Sequence, residues 1–193
     1  MESLIPTSRS SSAASASVRR EFVTPMGMMF GVGRASGLLA LGFVDGEGGS
    51  SHAGERERLA ETQAAERRAM NEASQHLDRL EEELAAYFRG AATTFRVALD
   101  PVGTAFQHAV WEVLRTIPWG TRVSYTWVAE RMGRPDAVRA VAAANGANPI
   151  AIIVPCHRVV GRSGDLTGYA GGLERKRRLL EIEASAPLFV ASG

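Results

Sequence analysis

The stretch Ile152-Ile153-Val154-Pro155-Cys156-His157-Arg158-Val159-Val160 decides how the rest of the chain is interpreted. Its apolar, β-branched beginning predicts a buried strand, and Pro155 predicts that the strand ends in a turn. The next residue, Cys156, is the only cysteine of the 193 residues, and a histidine follows it directly. A turn at the end of a strand can aim a side chain into a cleft. The alternative is that Cys156 is a small buried hydrophobic residue, as most free cysteines are.

The composition is that of an ordinary folded protein. Hydrophobic residues make up 45% and charged residues 22% of the chain, which is enough for one good-sized domain or two small ones sharing a core. A single cysteine forms neither an intrachain disulfide nor a multi-cysteine zinc site, so we expect no oxidising compartment and no metal. No apolar stretch approaches the roughly 20 residues that span a bilayer, so we expect a cytoplasmic protein with no membrane contact.

The net charge of +1 is unevenly distributed. Residues 1–100 carry 11 basic against 14 acidic side chains, whereas residues 101–193 carry 11 against 7. A basic second half gives weak support to an acidic partner such as nucleic acid.

The first hundred residues predict a small sheet and a helix with no chemistry of their own. Residues 1–20 are rich in serine and predict a disordered tail. Two strands are predicted over Glu21–Phe30 and Gly37–Val44, joined through glycines as a hairpin. A helix is predicted from Glu55 to Phe88, ended by Gly90.

The second half predicts mostly helices. After a short strand near Phe95–Leu99, Thr104 is a candidate N-cap for a helix to about Arg115. Tyr125–Met132 predicts a second helix, and Asp136 is the candidate cap of a third that runs to about Asn145. Two short helices across a tight turn are typical of a helix-turn-helix, although plain helical packing gives the same pattern.

The last of these helices is unusual because its side chains are small. A helix that reads bases in the major groove carries long polar side chains, and here Arg139 is almost alone in that class. Small residues let the helix backbone approach another surface closely, which suits either tight protein packing or a minor groove whose sequence is not read. The small residues are Ala137, Ala140, Ala142, Ala143, Ala144 and Gly146.

These segments occur together in the order and spacing of one known family: Ser124-Tyr125, Arg139-Ala140-Val141, Asn148, Pro155-Cys156-His157-Arg158-Val159 and Tyr169-Ala170-Gly171-Gly172. From about Gly103 to Glu183 the chain resembles the O6-alkylguanine-DNA alkyltransferases, or methylated-DNA–protein-cysteine methyltransferases, of the bacterial Ogt/Ada-C type. The resemblance implies an α/β (α+β) fold, with a small sheet-plus-helix domain followed by a helical domain containing the helix-turn-helix. It places a ribonuclease H-like domain at 21–100, the DNA-binding alkyltransferase domain at 101–185 and a tail at 186–193.

The resemblance implies DNA repair by a single-turnover reaction that needs no cofactor. Cys156 would take an alkyl group, such as methyl, irreversibly from O6 of guanine or O4 of thymine in double-stranded DNA. A free thiol is only a few per cent thiolate at neutral pH, so it needs activation. His157 would act as the base through a water molecule, oriented by Glu183. Asn148 would tie the recognition helix to the active-site strand.

The resemblance also assigns the DNA contacts of a protein expected to act as a monomer. The target base must be flipped out of the duplex. Arg139 would fill the vacated space, Tyr125 would help to rotate and contact the base, and Ala140 and Ala143 would lie against the minor groove. The other residues of the implied substrate pocket are Asn145, Val159, Tyr169, Ala170 and Gly171.

Three other functions fit parts of the pattern. A non-catalytic damage-binding protein shares the fold of this family but lacks the cysteine, which this chain has. A Cys–His hydrolase normally draws its partners from distant parts of the chain. A plain helix-turn-helix domain would need more base-reading side chains. Some relatives bind a structural zinc through N-terminal cysteines; this chain has none, so no metal is expected.

Overall fold

The computed structural model describes residues 16–45 and 60–185. The first half forms a three-stranded antiparallel sheet in the order β1-β2-β3, followed by one long helix. Its elements are β1 Ser17–Thr24, β2 Gly27–Arg34, β3 Gly37–Phe43 and α1 Ala60–Phe88. The mixed fold, with the small sheet first and the helices after it, confirms the predicted class. No helix of the described ranges is both long and apolar enough to cross a membrane.

The sheet has one more hairpin than the sequence pattern indicated. The strand predicted over residues 21–30 is interrupted by a turn at Pro25, where Gly27 has a φ of 102° and the Thr24 hydroxyl donates to the Gly27 carbonyl at 2.7 Å. Proline cannot donate to a sheet ladder, and glycine accepts the left-handed backbone, so the chain reverses here. β1 pairs with β2 from Ser17 onward. The predicted tail was therefore wrong for Ser17–Arg20.

Helix α1 packs against the sheet where β2 has a glycine. A Cβ atom at Gly31 would lie 2.9 Å from a methyl group of Leu80 and 3.0 Å from one of Leu77, so a larger residue would force these side chains to move. Both leucines are fully buried, as their helical spacing predicted. The helix also ends as predicted, because Gly90 has a φ of 68° and its amide donates to the Tyr87 carbonyl. The predicted start at residue 55 lies outside the described residues.

In the second half, the described residues up to 185 form four α-helices and a two-stranded parallel sheet. Its elements are α2 Ala105–Arg115, β4 Val123–Ser124, α3 Tyr125–Arg131, α4 Val138–Gly146, β5 Val159–Val160 and α5 Leu173–Ser185. The predicted cap of α2 is confirmed: the Thr104 side chain accepts from the Gln107 amide, and the Gln107 side chain accepts from the Thr104 amide. This reciprocal pair is a capping box, which satisfies two otherwise unpaired amides.

Two local predictions in this half were wrong. Asp136 does not cap α4; a single 3-10 turn over Pro135–Ala137 leads into the helix, with no side-chain cap. The predicted strand over Phe95–Leu99 reduces to one bridge between Leu38 and Leu99. The turn before α4 is present as predicted, but no side chain caps the helix. The pairing at Leu99 is present, but it covers a single residue and forms no strand.

The segment before Cys156 is a buried turn, and the strand predicted there was wrong. Ile152 has a φ of 71°, in the left-handed region that strands do not use and β-branched residues rarely adopt. β-branched residues are typical of strands because they suit a half-buried pleated surface, so the pattern predicted burial correctly and the backbone wrongly. Cys156–Arg158 form one 3-10 turn, and β5 begins only at Val159.

The first sheet directly supports this turn. The Leu41 amide on β3 donates to the Pro149 carbonyl at 2.9 Å, and the Ala151 amide donates back to the Leu41 carbonyl at 2.8 Å. Buried side chains from both halves form one continuous hydrophobic cluster. The division into domains near residue 100 stays a prediction.

Candidate active site

Cys156 lies in the 3-10 turn and is only 6% exposed. Its Sγ atom accepts a hydrogen bond from Asn148 Nδ2 at 3.1 Å. Burial raises the pKa of the thiol, while the Asn148 hydrogen bond and the charge of Lys176 act in the opposite direction. Because the thiolate is the nucleophilic form of cysteine, these two side chains favour the reactive state.

Asn148 fixes the shape of the turn that carries the thiol. Its Nδ2 also donates to the Val154 carbonyl at 2.8 Å, and its Oδ1 accepts from the Ile150 amide at 3.0 Å. Asn148 follows α4 closely, and its own amide donates to the Asn145 carbonyl at 3.4 Å. The side chain therefore joins the end of α4 to the segment before Cys156.

His157 is fully buried, and its Nε2 atom lies 2.8 Å from Glu183 Oε1. A carboxylate only accepts hydrogen bonds, which assigns the imidazole proton to Nε2 and leaves Nδ1 as an acceptor. Nδ1 is buried and has no hydrogen-bond partner among the described residues. Burial lowers the pKa of His157 more than Glu183 raises it, so the imidazole is neutral at physiological pH and Nδ1 can take a proton.

The carboxylate of Glu183, near the end of α5, accepts from four residues. Tyr87 Oη donates to Oε1 at 2.9 Å and His157 Nε2 donates to it at 2.8 Å, while Arg158 spans both oxygens at 2.8 Å. The Gly120 amide donates to Oε2 at 3.3 Å. Burial raises the pKa of Glu183, but the hydrogen bonds and charges of His157 and Arg158 outweigh it and lower the pKa from 4.5 to about 2. The carboxylate is thus ionised at neutral pH.

Two side chains of this network, besides the backbone amide of Gly120, were not predicted from the sequence. Arg158 was part of the motif but had no role; it pairs with Glu183 and donates to the Ile117 carbonyl at 2.6 Å. Its position directly after His157 was the available signal. Tyr87 belongs to the apolar stripe of α1, and helical periodicity places it in the core without indicating what its hydroxyl contacts.

Lys176 is a third buried group that the sequence analysis missed. It is fully buried on α5, and its Nζ donates to the Thr167 carbonyl at 2.6 Å. Burial lowers the pKa of Lys176 to about 8, and Cys156 acts to raise it. Lys176 stands within the basic run of residues 175–178, where nothing local distinguishes a buried cation from its exposed neighbours.

Three of the four residues predicted to contact DNA lie on one exposed face of α4, whereas Tyr125 is half-buried at the start of α3. Arg139, Ala140 and Ala143 are exposed, whereas Val141 and Asn145 on the opposite face are buried. The structure therefore separates Asn145 from the exposed face, and its Oδ1 is buried with no hydrogen-bond partner in the described part of the chain.

The loop before α5 carries several of the predicted pocket residues. Thr167 Oγ1 donates to Tyr125 Oη at 3.2 Å, which links the loop to the start of α3. The Tyr169 hydroxyl is buried without a partner among the described residues, and Ala170 is exposed. Val159 is buried at the start of β5.

Arg175 fastens the end of this loop to the first sheet. Its guanidinium donates to the Gly171 carbonyl at 3.1 Å, to the Met26 carbonyl at 3.0 Å, and to both carboxylate oxygens of Asp45 at 2.7 and 2.8 Å. It also lies 4.5 Å from the centroid of the Phe43 ring. A Cβ atom at Gly171 would lie 2.6 Å from that ring. The positions of the sheet and the loop are therefore coupled.

Within residues 16–45 and 60–185, no group of three or more histidine, cysteine or acidic side chains is arranged to hold a metal ion. The expectation that the chain needs no metal stays a prediction.

Known proteins are similar to this chain in sequence and in fold. Residues 105–185 match the family model described as the DNA-binding domain of 6-O-methylguanine DNA methyltransferase. A protein from Methanosarcina acetivorans, named methylated-DNA–protein-cysteine methyltransferase, is 40% identical over 164 residues, which are 85% of this chain and 96% of that protein. The chain belongs to the methylated-DNA–protein-cysteine methyltransferase family. The family resemblance of the sequence is thereby confirmed.

Mycobacterial members of the family are also similar. One from Mycobacterium tuberculosis is 60% identical over 104 residues, which are 54% of this chain and 63% of that protein. The matched region thus spans less than two thirds of that relative. The crystal structure titled Mycobacterium tuberculosis OGT in complex with DNA has 43% sequence identity and a TM-score of 0.70, covering 87% of this chain and 93% of that one.

Proposed function

We propose that this chain is a DNA repair protein that transfers an alkyl group, such as methyl, from O6 of guanine to Sγ of Cys156, and acts similarly on O4 of thymine. The observation that carries the proposal is the buried pair of Glu183 and His157. Because the carboxylate holds Nε2 at 2.8 Å, Nδ1 is left as a buried acceptor with no hydrogen-bond partner among the residues the structure describes, on the residue next to the only cysteine of the sequence. This is the nucleophile, base and orienting group that cysteine chemistry requires.

The reaction balances without a cofactor. The thiol loses its proton to Nδ1 of His157 through a bridging water, and the sulfur displaces the oxygen from the alkyl carbon, so that the C–O bond breaks as the S–C bond forms. The departing guanine takes up the proton. The product is a thioether, which no group of this site could cleave, so each molecule reacts once.

We propose duplex DNA as the partner, bound in its minor groove by the exposed face of α4. The thiol is buried, so a base within the stack could not reach it and must be flipped out. Ala140 and Ala143 allow a close backbone approach, and Arg139 is the long side chain that could fill the gap. The relative whose title names a DNA complex supports this partner. The flipped base would contact Tyr125, Asn145, Val159, Tyr169, Ala170 and Gly171.

We propose further that the protein acts as a monomer in the cytoplasm. All the groups of the proposed relay come from one chain, and the thiol must stay reduced to react, which fits a reducing compartment.

The first test is the intact mass of the protein after incubation with a duplex that contains O6-methylguanine. We expect one added methyl group, located on Cys156 by peptide mapping and absent from Cys156→Ala. Binding to the damaged duplex without a gain in mass would refute alkyl transfer and favour a damage-binding protein.

A second test examines base flipping. Arg139→Ala should slow repair of the duplex by at least about tenfold while leaving the reaction with free O6-benzylguanine nearly unchanged, because only the duplex requires the base to leave the stack. Arg177→Ala, which removes an exposed arginine of α5, controls for the loss of one positive charge. Equal slowing on both substrates would remove the flipping role from Arg139.

A further inference from the structure

The hydroxyl group of Tyr87 reaches the candidate active site from the N-terminal helix. Tyr87 lies on α1, 96 residues before Glu183, and donates to Glu183 Oε1 at 2.9 Å. Nothing in the proposed reaction yet uses this contact. The chain thus brings a polar atom of its first half to the carboxylate that orients His157.

The ring of Tyr87 is held rigidly, so the hydroxyl has a fixed position. The side chain is fully buried. Its ring centroid lies 4.9 Å from that of Trp119, 5.3 Å from that of Phe88 and 5.6 Å from that of Phe95. Burial, followed by the charge of Glu183, raises the pKa of Tyr87, so the hydroxyl keeps its proton and acts as a donor.

Three donors share one oxygen of the carboxylate. Tyr87 Oη, His157 Nε2 and Arg158 Nη2 all lie within 2.9 Å of Oε1. A carboxylate oxygen offers about two lone-pair directions, so the three donors compete. Removing one of them strengthens the acceptor for the others.

We propose that Tyr87 is a positioning residue for the proposed alkyl transfer: its hydroxyl shares Oε1 of Glu183 with His157 and so limits how strongly the carboxylate holds the imidazole. The inference rests on the proposed function. If the carboxylate had fewer donors, it would stabilise the imidazolium form of His157 more strongly. The neutral imidazole, which is the base, would then be less populated. The titratable and charged groups that act on this pair are Arg158, Lys176, Tyr87 and Tyr169.

The direct test is the titration of His157 in the wild-type protein and in Tyr87→Phe, followed by the ¹⁵N shifts of the imidazole, with the signal assigned by its loss in His157→Gln. Tyr87→Phe keeps the ring packing and removes one donor. We expect the pKa of His157 to rise by up to about one unit, because the effect of a hydrogen bond lost at the carboxylate reaches the imidazole only through Glu183. An unchanged or lower pKa would overturn the proposal.

Trp111→Phe is the matched control for lost stability. It removes a buried hydrogen bond to the Ala144 carbonyl, 2.9 Å long, and should lower the melting temperature without moving the His157 titration. If Tyr87→Phe fails to fold, 3-fluorotyrosine incorporated at position 87 makes the hydroxyl a stronger donor. The pKa of His157 should then fall, and a rise or no change would contradict the proposal.

The pH dependence of methyl transfer links the inference to the reaction. In Tyr87→Phe the acid limb of the rate profile should move to higher pH by the same amount as the His157 titration. If Tyr87→Phe changed only the melting temperature and left both the His157 titration and the pH–rate profile unmoved, the role of Tyr87 would be packing in the core, and the proposal would be wrong. A wild-type protein that gains no methyl group would refute the proposed function, while the His157 titration would still decide the role of Tyr87.

Discussion

Replacing Glu183 by glutamine should remove the charge at the centre of the buried network while nearly preserving its shape. Arg158 is only 6% exposed and pairs with both carboxylate oxygens. Removing one partner of a buried ion pair leaves the other charge uncompensated, so we expect a loss of about 3–5 kcal/mol in the free energy of unfolding at neutral pH. The glutamine NH₂ group would also face donors and accept from none of them.

The pKa of Glu183 gives a second value for the stability that its charge contributes, and the pH range over which that stability is lost. Each pKa unit is worth about 1.4 kcal/mol, so a fall from 4.5 to about 2 corresponds to about 3 kcal/mol of stability. Because the folded pKa lies below the unfolded value, this stability is present above the unfolded pKa and is lost as the pH falls towards the folded pKa. The difference between the wild-type protein and Glu183→Gln should therefore narrow over this range.

Urea unfolding, followed by tryptophan fluorescence from about pH 7 down to about pH 3, would measure the difference. Glu181→Gln is the matched control, because Glu181 lies exposed on the same helix, and Arg177, at 2.8 Å, is its one ion-pair partner among the described residues. The control should change stability by less than about 1 kcal/mol. The reasoning would be refuted if Glu183→Gln lost as little stability as Glu181→Gln. It would also be refuted if the loss in Glu183→Gln were larger but did not change with pH.

Three further predictions concern the loop and the thiol. Gly171→Ala places a Cβ atom 2.6 Å from the Phe43 ring and should lower the free energy of unfolding, measured by thermal melts, by about 1–3 kcal/mol. Gly168→Ala, whose Cβ atom would have no described atom within 4 Å, should leave stability nearly unchanged. Equal losses in the two variants would contradict the packing of the loop against the first sheet. Arg175→Lys cannot replace the three guanidinium nitrogens that reach the Met26 carbonyl, the Gly171 carbonyl and the Asp45 carboxylate, so it should slow alkyl transfer several-fold. Arg177→Lys, at an exposed position of the same helix, should leave the rate constant nearly unchanged. Equal rate constants for the two variants would exclude a coupling between the first sheet and the loop. Lys176→Met removes a positive charge that favours the thiolate, so the rate at which iodoacetamide modifies Cys156 should reach its half-maximum at a higher pH. An unchanged midpoint of this pH profile would disprove the effect.

Much of the helical framework follows from local chemistry. The capping box at Thr104 and Gln107 satisfies amides within one turn, and Gly90 ends α1 through its own backbone, so both were predictable. The turn at Ile152 was not, because its backbone angle is imposed by the packing around it. The hairpin at Pro25 carried a turn signal, but the apolar residues on both sides outweighed it in the pattern.

The candidate site was predictable where its residues belong to the motif. The structure pairs Asn148 with Cys156 at 3.1 Å and His157 with Glu183 at 2.8 Å, and helical periodicity placed Tyr87 in the core. What the sequence could not indicate is which side chains meet between distant segments. The contacts of Tyr87 and Arg175 depend on how the first sheet and helix pack against the second half, and no local pattern contains that information.

Ile152 occupies a position where two demands conflict. A β-branched residue in left-handed backbone costs about 1–3 kcal/mol, which glycine would avoid. Its side chain is 1% exposed and contributes about 1.5–3 kcal/mol through burial, which glycine would lose. Neither kind of residue suits both the backbone and the core, so substitutions here trade one defect for another. The orientation of the Cys156 sulfur thus depends on a turn in which Ile152 combines an unfavourable backbone angle with a favourable burial of its side chain.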